Sequence, residues 1–126
     1  MKYEIDYVRF PGKYFESEIA MLTGLTLEEI LPVTSKIKRW SGSAFVKIFQ
    51  QLGYNCNPRF KKFEKDTEYP CMMRSHNRFH KEGYWYGFVY YDGIVYDLYQ
   101  DQKITWAEWN ECYPHLRVTS MLQVWI

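Results

Sequence analysis

The stretch Gly83-Tyr84-Trp85-Tyr86-Gly87-Phe88-Val89-Tyr90-Tyr91-Asp92-Gly93-Ile94-Val95-Tyr96-Asp97 constrains the fold more than any other part of the chain. Two runs of aromatic and β-branched residues flank Asp92-Gly93, a pair that accepts the positive φ of a tight primed turn. The segment therefore reads as a β-hairpin. Trp85, Phe88 and Val95 are its expected contributions to the core.

Around that hairpin the chain divides cleanly. Tyr3 to Phe10 alternates loosely, as an edge strand or an extended arm does. Phe15, Ile19, Met21 and Leu22 suit a helix from about Phe15 to Thr23, with Gly24 as its stop. Thr26 and Glu29 have capping-box spacing and open a second helix, expected to be brief because Pro32 follows. Phe45, Ile48, Phe49 and Leu52 recur at helical spacing, with Ser41 or Ser43 as cap and Gly53 at the end. A polar stretch containing Asn57-Pro58 runs to Tyr69. Pro70 to Ser75 reads as a strand and His76 to Gly83 as a loop. Thr105 and Glu108 form another capping box, opening a helix to about Tyr113, and Arg117 to Ile126 reads as a final strand. The order implies one α+β domain over residues 1–126, with N-terminal helices packed on an antiparallel sheet.

Composition narrows the function classes. Aromatic residues make up 20% of the chain, more than a core and sheet faces need, so part of them is expected at a contact surface. The net charge of +1 gives no bulk attraction to nucleic acid or an anionic membrane. Cys56, Cys71 and Cys112 are odd in number and show no Cys-x-x-Cys spacing, so free thiols and a cytoplasmic location are expected. No apolar run resembles a signal peptide or a membrane span. His76 and His80 would share a face only on a helix, which Asn77 and Gly83 disfavour, so no metal and no cofactor are expected.

The hairpin also resembles one in the small bacterial papain-like cysteine peptidases, including the bacteriocin-processing peptidase domains. That pattern runs Gly-His-Trp, a hydrophobic strand, Asp-Gly, a short strand and Tyr-Asp. Here Trp85, Asp92-Gly93 and Tyr96-Asp97 match it, and Tyr84 stands where the family has its catalytic His. A second block, Met21-Leu22-Thr23-Gly24-Leu25, is similar to the end of the family's N-terminal helix. Counting back from Gly24 by the family's spacing puts Tyr14 where the nucleophilic Cys would be. Gly53-Tyr54 matches the end of the helix between the two blocks. The likeness covers roughly residues 12–98.

The resemblance implies a papain-like fold without the peptidase chemistry. A tyrosine hydroxyl has a pKa near 10 and cannot replace the thiolate, nor can it serve as an imidazole base at neutral pH. Asp97 then has no imidazole to orient, and a hydrogen bond to the Tyr84 hydroxyl is its expected role. The leading expectation is an inactive, peptidase-derived binding protein, of the kind a small viral inhibitor of a host factor would be, acting in the cytoplasm (the host's, if viral). Its partner is a protein or peptide, and its surface comprises Tyr14, His76, Arg78, His80, Tyr84 and Asp97. One alternative is an active cysteine hydrolase with a displaced nucleophile, betrayed by an unusually reactive thiol. Another is a nucleic-acid-binding module using Lys61, Lys62, Arg74 and Arg78, betrayed by salt-dependent affinity.

Overall fold

A computed structural model describes residues 3–79 and 85–126. Three helices lead: α1 (Tyr14–Thr23), α2 (Leu27–Thr34) and α3 (Gly42–Gln51). Next come two short strands, β1 (Asn55–Cys56) and β2 (Lys61–Lys62), and then β3 (Cys71–Asn77), β4 (Trp85–Tyr91), β5 (Ile94–Asp97) and β6 (Gln102–Thr105). Helix α4 (Trp106–Cys112) is inserted before the long last strand β7 (Leu116–Trp125). The strands form one antiparallel sheet in the order β1-β7-β3-β4-β5-β6, with β2 also on β7. The class is α+β.

Strand alternation gives the sheet two apolar faces. Met72, Val89, Tyr96, Leu122 and Val124 point towards α1, α2 and α3, where Ile19, Ile30, Ile48 and Phe49 complete the larger core. Cys71, Met73, Phe88, Tyr90, Val95 and Met121 point the other way, against Trp109 of α4. The hairpin is therefore covered on both sides from Phe88 to Tyr91 and from Val95 to Asp97.

The turn chemistry explains the register. Asp92 and Gly93 both take positive φ (49° and 79°), so Tyr91 pairs with Ile94 across a two-residue turn. Gly24 is left-handed at φ 75° and its N–H closes α1 on the Ala20 carbonyl. Both capping boxes form, Thr26 with Glu29 and Thr105 with Glu108. Ser41, not Ser43, caps α3 by accepting from the Ala44 N–H.

Five expectations need correction. Helix α2 continues through Pro32 to Thr34. Pro32 denies a donor only to the carbonyl of Glu28, an exposed residue, while Ile30 and Thr34 are buried and hold the helix down. The polar stretch is not featureless, because β1 and β2 both hydrogen-bond to β7. Strand β3 runs two residues further than expected, through His76 and Asn77, and β6 pairs with β5 where no strand was read. Trp85 is not core: it is 51% exposed, at the end of β4 beyond Gly87. Tyr3 to Phe10 is an extended arm, tied down by the Tyr3 N–H donating to the Tyr91 hydroxyl, Tyr7 to Asp101 and Arg9 to the Leu98 carbonyl.

Candidate functional site

Asp97 closes β5 and is fully buried, on the α4 face of the sheet. Its carboxylate accepts from four groups. The Tyr86 hydroxyl lies 2.7 Å from both oxygens, Trp109 Nε1 donates at 3.2 Å, and the Tyr99 and Gln100 N–H groups donate at 3.1 and 3.2 Å. The last two bonds fold the chain into the turn after β5, an Asx-type arrangement. Asp97 thus has a tyrosine and an indole as its side-chain partners. Burial, and then the bond to Asp97, pushes the Tyr86 hydroxyl far above its ordinary value, so it stays protonated.

A ladder of rings leads from this knot to the head of α1. The Tyr86 ring lies 4.8 Å from Tyr99, and Tyr99 lies 4.7 Å from Tyr14, the first residue of α1. One turn along the same helix is Glu18, only 2% exposed. The space above Gly87 is filled by this carboxyl: a Cβ there would stand 3.1 Å from Glu18 Oε1. No described group hydrogen-bonds it. Burial first, and the negative charge of Asp97 second, raise its pKa from 4.5 to about 8. At neutral pH most of it carries a proton and can donate a hydrogen bond.

Glu18 opens into a cleft of about 220 Å³ between α1, the start of α3 and the β3–β4 pair. Phe15, Trp40, Phe45 and Trp85 supply its apolar walls and Arg39 stands at its exposed rim. Arg74, paired with Gly87 across the sheet, supplies its fixed charge. The guanidinium is held between two rings, 3.8 Å from the centroid of Phe60 and 4.9 Å from that of Trp85. Its Nε donates to Ser120 Oγ at 3.1 Å, so its direction is set from behind. Its terminal nitrogens reach the first residue of α3, at 3.5 and 3.6 Å from where a Gly42 Cβ would be. A second cavity, of about 260 Å³ between the N-terminal arm and the end of β7, is larger; Glu4 and Asp6 line it with Tyr3, Tyr54 and Trp125, but among the described residues no cation does.

The expected surface is only partly assembled here. Tyr14 is half-buried against Tyr99, beside Arg9, whose guanidinium is 5.8 Å from its ring. His76 lies across from Trp85 at the cleft end of β3, with ring centroids 5.8 Å apart. Arg78 is exposed in the turn after β3 and its N–H donates to the His115 carbonyl. Asp97 faces α4 rather than the cleft, and its tyrosine partner is Tyr86. His80 and Tyr84 lie outside the described residues, so the expected Asp97–Tyr84 bond does too. Among the described residues no group of three or more His, Cys, Asp or Glu is placed to hold a metal.

Two residues at the centre of the cleft had a signal in the sequence. Glu18 falls at helical spacing between Phe15 and Leu22, on the apolar face of α1. Gly87 interrupts a strand of large residues, which marks a close approach by another group. Arg74 and Trp40 come together only through the tertiary fold.

Two of the three thiols are poorly suited to act as a displaced nucleophile. Cys71 is fully buried, its Sγ donates to the Tyr90 carbonyl at 3.4 Å, and burial pushes its pKa far up. Cys56 is half-buried and raised by the same cause. Cys112 is exposed on α4. Alkylation with iodoacetamide near neutral pH, followed by peptide mapping, is expected to label Cys112 first and Cys71 only after denaturation. Rapid labelling of Cys71 in the native protein would contradict this packing.

No helix of the described residues is long and apolar enough to cross a membrane. Comparisons with protein-family models, with curated proteins and with solved structures return no match to this chain.

Proposed function

We propose that this chain is a binding domain on a papain-like scaffold, without peptidase chemistry, acting in the cytoplasm on a protein or peptide partner. The observation that carries the reading is the buried Asp97 carboxylate, whose side-chain partners are the Tyr86 hydroxyl and Trp109 Nε1, with no imidazole among its described partners. Tyr14 supports it, because it heads α1 at the place where the family's helix presents its thiol, and among the described residues no base bonds its hydroxyl. A scaffold can lose its reacting groups and keep its shape, since site and fold are separable. What remains is a cleft with aromatic walls, the composition that dominates contact hot spots.

The test is turnover. Incubation with a panel of peptide and isopeptide substrates is expected to leave them intact by mass spectrometry. Cleavage that is lost in Cys56→Ala or Cys71→Ala would overturn the reading in favour of a cysteine hydrolase.

A further inference from the structure

We propose that the cleft captures the terminal carboxylate of a peptide whose last side chain is apolar or aromatic; this deepens the binding reading above and rests on it. The argument starts from Arg74. Its guanidinium is partly buried, and among the described residues no carboxylate forms an ion pair with it. Removing a guanidinium from water without a counter-ion is costly, so a site that does this is built for an anion that arrives from outside. The Nε bond to Ser120 and the two flanking rings fix the guanidinium plane, leaving its terminal nitrogens free to make the parallel pair of bonds that a carboxylate accepts.

Three further features agree. Helix α3 begins beside those nitrogens, and the N–H groups of its first residues, Gly42 and Ser43, have no acceptor within the helix. Arg39 adds a second positive charge at the rim. Glu18, 2% exposed as a residue and with its carboxyl bonded to no described group, lies at the cleft floor, where it can bond a peptide N–H or carbonyl. Phe15, Trp40 and Phe45 wall the remaining volume. At about 220 Å³ it holds one large side chain and its carboxylate but not a folded segment. A chain end brings both groups on one residue, which is why it fits better than an internal carboxylate side chain.

The experiment titrates the full chain with three probes, reading Trp fluorescence and calorimetry. The probes are acetyl-Ala-Ala-Phe with a free carboxylate, the same peptide as its C-terminal amide, and free 3-phenylpropanoate. The free-acid peptide is expected to bind saturably. The amide should bind roughly thirty-fold or more weaker, because each charge-assisted bond is lost together with its counter-ion. Phenylpropanoate should also bind more weakly than the peptide acid, for want of the backbone groups that meet Glu18. Arg74→Gln should reproduce the amide's loss on the acid while leaving the circular dichroism unchanged, and Arg74→Lys should recover part of it.

Equal affinity for acid and amide would overturn the carboxylate site, as would unchanged affinity in Arg74→Gln. So would the absence of saturable binding up to about 5 mM, the weak limit of specific recognition. Phenylpropanoate binding as tightly as the peptide acid would overturn the peptide as its source. The peptide is recovered and weighed after each titration: an intact peptide upholds the non-hydrolytic reading, and a cleaved one overturns that reading whatever the ratio of acid to amide.

Discussion

Trp109→Ala is expected to lower the unfolding free energy by about 4–5 kcal/mol, enough to leave the domain close to unfolded at body temperature. Two losses combine. Trp109 is fully buried and packs at 4.6 Å on Phe88, at 5.6 Å on Tyr113 and in a stack at 5.9 Å on Trp106, so truncation opens a large cavity under α4. It also removes the Nε1–H from Asp97, leaving a buried carboxylate with one donor fewer. Trp109→Phe separates the two: it keeps most of the packing and should cost about 1–3 kcal/mol, mainly for the missing donor. Urea denaturation of the three proteins measures both numbers. If the alanine variant unfolds at the parent's midpoint, α4 does not cover the second sheet face in the way described.

How much of this was legible in the sequence depended on how local the cause was. The Asp92-Gly93 turn, both capping boxes, the Gly24 stop and the helix built on Phe45, Ile48 and Phe49 were readable, because each is set by neighbours within a few residues. Strand β6 was not, since its only β-formers are Ile104 and Thr105, Thr105 reads first as the cap of α4, and the segment is held by its partner β5. The short strands β1 and β2 likewise exist only because β7 passes beside them. Trp85 misled for a related reason: its aromatic character reads as core, yet whether it is covered depends on where α1 ends over the sheet. The site followed the same division. The hairpin motif pointed to Asp97, but strand alternation from Val95 turns that carboxylate towards α4, where Tyr86 and Trp109 meet it. Arg74 appeared only as one of several basic residues in the middle of the chain. Its importance comes from Phe60, Trp85 and Ser120, which the fold collects from three distant segments.

The buried carboxyl of Glu18 should make stability depend on pH in a direction opposite to that of a salt-bridged acid. Its pKa rises from 4.5 to about 8 on folding, so between those values the folded chain holds a proton that the unfolded chain has released. Stability therefore falls as pH rises through that window, by about 1.4 kcal/mol per unit from this group alone. Below the window both states are protonated and there is no penalty. Above it the folded state must keep a buried carboxylate under the negative charge of Asp97, and the penalty is complete, at about 5 kcal/mol. Glu18→Gln removes the titration while keeping nearly the same volume over Gly87. The variant is expected to match the parent near the lower end of the window and to exceed it by a few kcal/mol above the upper end, with a correspondingly flatter profile. Other titrating groups contribute equally to both proteins and drop out of the difference. Chemical denaturation at several pH values gives the two curves directly. Parallel curves would mean that Glu18 is ionised in the folded protein and that the cleft floor is wet, whereas convergence at low pH and divergence at high pH would establish a neutral acid facing the cleft.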